Sequence, residues 1–345
     1  MSRPRRLLVL AEGRSGDPHY GKTARGVIRY SPESVVAVLD SQGEAQEYEG
    51  FPLVRTVDEA LRFEPTVALV GVATQGGRFP PAWRELIEAC VRAGLDIENG
   101  LHEFLSTDEE MVELSRGHGV ELRDLRKPPA GLNVPTGENL THGATTVLMV
   151  GSDCAIGKMT VALELDREAR RRGLKSEFVP TGQTGIAIAG WGISVDAVVA
   201  DFIAGAAERL VLEGVRRGGE VLFVEGQGSV LHPAYSGVTM GLIHGSAPHA
   251  YVLCHKAGER YVDEDERFPI PPLSRLVALH EELSLLARPA RVLAVALNTR
   301  DLPEADARRA IEAAEAETGL PADDPVRFGS GRLVDALTPL TGVKG

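Results

Sequence analysis

The chain has 345 residues, 37 basic and 49 acidic, for a formal net charge of −12; charged residues make up 25% and apolar residues 43%. That is the composition of an ordinary soluble protein. The length suits two cores of about 100–200 residues each, and the acidic balance disfavours nucleic acid or an anionic membrane surface as a partner. An anionic small substrate would need a local basic pocket against a repelling background. No run reaches the roughly 18 apolar residues of a membrane span, so no membrane partner is expected. The opening "MSRPRRLLVLAEG" has basic residues, but its apolar stretch is only Leu7 to Ala11 and Glu12 follows at once. The h-region of a signal peptide needs about 7–15 apolar residues, and the stretch reads better as a first strand. Cys90, Cys154 and Cys254 are odd in number and far apart, which fits a reducing cytoplasm and no disulfide framework.

In chain order, "LLVLA" (7–11), "VVAVLD" (35–40) and "VALVGVA" (67–73) are apolar runs rich in Val and Leu, as strands buried on both faces of a parallel sheet require. "TVDEALRF" (56–63) and "PAWRELIEACVRAG" (81–94) have helical spacing, the second with Pro81 at its start and Gly94 as its stop. This is the βα rhythm of a doubly wound domain. The segment 127–143, "KPPAGLNVPTGENLTHG", has three prolines, three glycines and no hydrophobic period, and reads as a linker. The rhythm then restarts. Strands are expected at 145–150, 176–180, 220–224, 250–254, 292–297 and 325–328, and helices at about 158–172, 194–217, 274–287 and 303–317. The reading is two doubly wound α/β/α domains, 1–135 and 136–345.

The candidate chemistry starts at "GSDCAIGKMT" (151–160), which follows the strand "TTVLMV" and precedes a helix. Strand, glycine loop, lysine and helix together form the context of a phosphate-binding loop, in which backbone N–H groups and the helix N-terminus face an anion and Lys158 adds a point charge. The bland alternative is a glycine turn with a lysine on its rim. The usual pattern G-x-x-x-x-G-K-[ST] is broken twice here. Five residues separate Gly151 from Gly157, and Met159 stands where a hydroxyl would hold Mg²⁺. The five-residue spacing and the leading Gly151-Ser152-Asp153 resemble the loop of dethiobiotin synthetase. "VEGQGS" (224–229) is similar to a segment of the same enzymes whose glutamate helps hold magnesium, a position that falls on Glu225. Met159 opposes a nucleotide reading, since a thioether is a poor ligand for a hard cation and Thr160 comes one residue late, about 100° round the helix. A cradle without a good metal site suits a ligand whose phosphates are only handles, such as coenzyme A.

Taken with "PTGQTG" (180–185), "GWGISVDAVVADFIAGAAE" (190–208), "GLIHGSAPHAYVLCHKAG" (241–258), "GKTARGVIRY" (21–30) and "VVAVLDS" (35–41), these motifs resemble one family over nearly the whole chain. That family, long catalogued as a domain of unknown function, includes D-glutamate N-acetyltransferase. The resemblance implies a Rossmann-like N-terminal domain, a P-loop NTPase-like C-terminal domain, acetyl-CoA as cofactor and a small amino-acid substrate. On it the cofactor cradle is assigned to Gly151, Ser152, Asp153, Cys154, Ala155, Ile156, Gly157, Lys158, Met159 and Thr160. A homo-oligomer, expected as a dimer, completes the picture.

Physical reasoning alone adds the remaining candidates. Amine acetylation needs a proton acceptor near neutral pH, for which Glu225 and His232 are candidates; His232 qualifies if the chain turns back over the phosphate loop. Gln183, Thr184 and Gly185 could cradle a carboxylate, with an ordinary loop as the alternative. Lys256 and Arg260 could pair with an anionic substrate or form a solvated rim. Asp196 reads as a helix-start residue and Asp201 as part of a polar helix face. His232, His244, His249 and His255 crowd into 24 residues beside Cys254, but no spacing matches a compact zinc motif, and no metal is expected. Lys22, Arg25 and Arg29 form a basic helix face, and "VGVATQGGRFP" (71–81) lacks the glycine pattern of an NAD site. The alternative function is an ATP–Mg²⁺-dependent ligase or kinase resembling dethiobiotin synthetase, with Asn298 reading the base. A non-catalytic CoA- or nucleotide-binding protein is the third class.

Overall fold

The computed structural model describes residues 4–13, 15, 21–72 and 79–341. The chain divides into two compact units: residues up to Pro128 with Gln183–Ser194, and Pro129–Gly182 with Val195–Gly345.

In the first unit the buried runs become strands β1 (Leu7–Leu10), β2 (Val35–Leu39), β3 (Glu47–Tyr48), β4 (Phe51–Val54), β5 (Val67–Val70), β6 (Asp96–Asn99) and β7 (Leu122–Asp124), in the order β3-β4-β2-β1-β5-β6-β7. Every pairing is parallel except the β3–β4 hairpin. Helices α1 (Lys22–Tyr30), α2 (Val57–Ala60), α3 (Pro81–Arg92) and α4 (Glu109–His118) supply the crossovers. α2 is capped by Thr56 and α4 by Asp108, whose side chains accept N–H bonds from Glu59 and Met111. Leu8, Leu39, Ile97 and Ile87 meet in the core between sheet and helices.

The second unit holds β8 (Thr145–Gly151), β9 (Ser176–Val179), β10 (Val221–Val224), β11 (Ala250–Lys256), β12 (Arg291–Asn298) and β13 (Ala322–Asp323), all parallel in the order β13-β12-β11-β8-β10-β9. Its helices are α5 (Lys158–Arg171), α7 (Ile203–Arg216), α8 (Ser236–Ser246), α9 (Leu273–Glu282), α10 (Glu304–Thr318) and α11 (Gly331–Thr341). β8 lies between β10 and β11, so the strand order reverses around it. Ligands of open α/β sheets bind at that switch point, beyond the carboxyl ends of the strands.

Three expectations are corrected. The strand expected at 325–328 is a turn, because Asp324 Oδ1 accepts the N–H groups of Val326 and Arg327 and curls the chain; the edge strand is β13. The helix expected from 194 begins only at Ile203, after two short 3-10 turns. Gln183–Ala189 is no loop but helix α6, which packs on α1 in the first unit. The linker from Pro129 is pinned to the second unit, where Glu208 accepts the N–H groups of Thr136 and Gly137. Among the described residues no helix is long and apolar enough to cross a membrane.

Candidate functional site

β8 ends at Gly151, and after six intervening residues α5 opens at Lys158. The loop between them is held in an unusual shape: Ala155 has φ 53° and Gly157 φ 115°. A left-handed residue with a Cβ persists only where its surroundings over-determine it. No side chain caps α5 and its first turn carries no acidic residue, so its electropositive end remains available to an anion. Lys158 is buried, with Nζ donating to the Asp153 carbonyl at 2.5 Å. Its stem needs the glycines around it. A Cβ on Gly226 would lie 2.9 Å from Lys158 Cδ and 1.7 Å from the Met149 carbonyl oxygen, and one on Gly151 would lie 3.0 Å from the Cys254 carbonyl oxygen.

The loop is braced from every neighbouring strand end. Asp153 Oδ1 accepts the N–H of Cys154 and Oδ2 that of Asp263, both at 2.6 Å. Ser229 Oγ donates to the Ser152 carbonyl at 3.0 Å, and Ser152 Oγ meets His255 Nδ1 at 2.9 Å. Burial holds the His255 imidazole below its ordinary pKa. Asn298, at the end of β12, donates Nδ2 to the Ile156 carbonyl at 3.1 Å and accepts from the Arg300 N–H. Its amide therefore braces the loop, a use that the base-reading role did not foresee.

Glu225 stands just past β10, 4% exposed. Its Oε2 accepts the N–H groups of Thr181 (2.8 Å) and Gly182 (3.0 Å), and its carbonyl accepts Thr181 Oγ1. The chain after Gly226 does turn back over the loop. A ring nitrogen of buried His232, the Cys154 sulfur and an Asp153 oxygen lie within 4.8 Å of one another. His232 Nδ1 accepts the Ala234 N–H at 3.1 Å.

Gln183, Thr184 and Gly185 open α6 in the first unit, where Thr184 Oγ1 pairs with Thr23 Oγ1 at 2.8 Å. Lys256 is paired with Glu259 (3.2 Å) and Asp301 (3.5 Å), while Arg260 is exposed. Asp196 lies in a 3-10 turn, and Asp196 and Asp201 are both exposed. Met159 and Thr160 are half-buried in the first turn of α5. His249 Nδ1 accepts the Thr146 N–H, and burial pushes its pKa down to about 4; His244 Nε2 meets the Leu283 carbonyl. These histidines serve the fold. Burial pushes the Cys90 and Cys254 thiols up to about 12, whereas Cys154 is half-buried on the loop. Lys22 and Arg29 are exposed and Arg25 faces Glu49 at 3.7 Å. Residues 73–78 of the segment 71–81 lie outside the described residues.

A glycine–lysine loop between a buried central strand and an uncapped helix, on an all-parallel sheet, defines the second unit as a P-loop domain; the first is Rossmann-like. A family model described as "Domain of unknown function (DUF1611_C) P-loop domain" matches residues 133–334, and its companion "(DUF1611_N) Rossmann-like domain" matches 40–128. The chain belongs to this DUF1611 family. It is 34% identical over 330 residues to a D-glutamate N-acetyltransferase of Tritonibacter scottomollicae, covering 95% of this chain and 97% of the relative. It is 32% identical over 283 residues to a protein of the same name from a Pseudoalteromonas species, covering 82% and 84%. The crystal structure of a DUF1611 family protein from Anabaena variabilis superposes with a TM-score of 0.87 at 39% identity, covering 97% of this chain and 99% of that one.

Proposed function

We propose that the protein is an N-acetyltransferase that moves an acetyl group from acetyl-CoA to the amine of an amino acid, with D-glutamate as the first acceptor to test. The names of the two full-length relatives support the reaction. One observation supports the cofactor half: an uncapped α5 N-terminus, a buried Lys158 and glycines where its stem passes are the features of a phosphate-binding loop. Residues 151–160 would hold the diphosphate of CoA, and the bound cofactor supplies the thioester. Met159 supports holding phosphates over spending them, since it brings no oxygen to Mg²⁺.

Distance then constrains the roles of the neighbours. The arm between the diphosphate and the thioester of CoA is about four residue-lengths of extended chain, on the order of 15 Å. Glu225 borders Gly226, which abuts Lys158, and His232 adjoins Asp153 and Cys154. Both therefore belong to the phosphate end. Glu225 fixes the Thr181–Gly182 backbone there, and the proton acceptor for the amine belongs an arm's length away. Arg260, exposed while Lys256 is already paired, is a candidate cation for a substrate carboxylate.

The test is turnover. The purified full chain is incubated with acetyl-CoA and single D- or L-amino acids, and free CoA thiol and N-acetyl product are followed by colorimetry and mass spectrometry. Equal release of both with D-glutamate is expected. Absence of N-acetyl product from every amino acid tried, with acetyl-CoA intact, overturns the reading.

A further inference from the structure

We propose that Asp153, Cys154 and His232 form a binding site for a divalent cation of the zinc class. Their donor atoms (a carboxylate oxygen, a sulfur and a ring nitrogen) already lie within 4.8 Å of one another, although 79 positions separate Asp153 from His232 in sequence. Sulfur with imidazole and carboxylate is a donor set for Zn²⁺ or Co²⁺ and a poor one for Mg²⁺. Three protein donors leave a fourth position for an oxygen of water or of an anion in the loop. The site thus stands beside the phosphate cradle, as a metal does in a nucleotide-binding loop, but with different donors from the hydroxyl that Met159 replaces.

The surroundings suit a cation. Asp153 is oriented by two backbone N–H groups, from Cys154 and Asp263, the kind of outer-shell support that fixes a metal ligand. Asp263 and Glu264 both take left-handed φ, 53° and 59°, so the segment is held in strain while it offers that N–H. Glu259 is also near: Lys256 pairs with one of its carboxylate oxygens at 3.2 Å, while the other, Oε2, is buried without a hydrogen-bond partner. Binding requires the Cys154 thiol to lose its proton and His232 to exchange its Ala234 hydrogen bond or its ring proton for the metal. Affinity should therefore fall with pH.

The probe is Co²⁺ alone, so the test stands whether or not acetyl-CoA is the ligand of the loop. Chelator-treated full-length protein is titrated with Co²⁺ and followed by absorption. A near-ultraviolet thiolate-to-cobalt band with visible d–d bands, saturating at one equivalent and displaced by Zn²⁺, is expected. Cys154→Ser should abolish the thiolate band, and His232→Ala and Asp153→Asn should each weaken Co²⁺ binding by about 10-fold or more. Circular dichroism checks that each variant is folded, and the two latter variants carry the test where Cys154→Ser does not fold. No thiolate band in the folded wild-type protein overturns the proposal, as does a band unchanged in the variants.

Discussion

Gly226→Ala probes the closest approach in the site. The new Cβ would sit 1.7 Å from the Met149 carbonyl oxygen and 2.9 Å from Lys158 Cδ. Backbone has to give, because the nearer atom belongs to β8, the central strand, next to β10. Restoring a 3.0 Å separation means moving one strand end by about 1.3 Å and disturbing the loop that follows. Overpacking costs about 1–3 kcal/mol when side chains can yield; against backbone the upper end applies, roughly 3 kcal/mol. For a unit of roughly 200 residues, that lowers the melting temperature by roughly 6–12 °C. Two neighbours calibrate the series. At Gly182 the Cβ meets the Gln227 amide nitrogen at 2.4 Å, a side-chain end that can swing aside, so Gly182→Ala should cost about 1 kcal/mol, the net value of a typical hydrogen bond. At Gly237, in α8, nothing lies within 4 Å, and Gly237→Ala should be neutral or stabilising by about 0.4–1 kcal/mol. Differential scanning calorimetry reads all three. A Gly226→Ala protein that melts with the wild type would refute the strand–lysine packing described above.

Three further predictions follow from the site and its supports. Lys158→Met should weaken acetyl-CoA binding by about 10- to 100-fold, the equivalent of about 1.5–3 kcal/mol for a charge-assisted contact, while leaving the melting temperature near that of the wild type, since a buried ammonium is lost with its charge; calorimetric titration measures the first and a thermal scan the second. Met159→Thr should tighten ATP–Mg²⁺ binding if the missing hydroxyl is what weakens the cradle for nucleotide; unchanged affinity in equilibrium dialysis would contradict that. His280 is fully buried, with Nδ1 on the Leu276 carbonyl, Nε2 unpartnered and its pKa pushed down to about 4 by burial. The unfolded chain takes up that proton near pH 6.5 and the folded one only near 4, so this contribution to stability is complete above about 6.5 and is lost as pH falls towards 4. His280→Leu should flatten that acid limb of the melting curve; an unchanged slope would contradict the assignment.

Much of this was legible because it is local. Val- and Leu-rich runs and the glycine–lysine loop lie within a few residues of the features they specify, and Glu225 could be placed at a strand end by counting. Helix α8 was not foreseen: "SGVTMGLIHGS" has weak helix formers, and Gly241 and Gly245 make sense only against α7. There a Cβ on Gly245 would fall 2.1 Å from the Ala204 carbonyl oxygen. The departure of Gln183–Ser194 to the first unit was hidden for the same reason, since tertiary packing decides it and no composition shift marks it. The convergence of His232 with Asp153 and Cys154 was anticipated only as a conditional, because it depends on how the chain after β10 folds back.

The account rests on the loop holding acyl-CoA by its phosphates, and one calorimetric comparison tests this most directly: acetyl-CoA against ATP–Mg²⁺, each titrated into wild-type and Lys158→Met protein. The account predicts that acetyl-CoA binds the wild type more tightly than ATP–Mg²⁺ does and that its affinity drops in the variant. Tight ATP–Mg²⁺ binding that depends on Lys158, with no heat from acetyl-CoA, would contradict it.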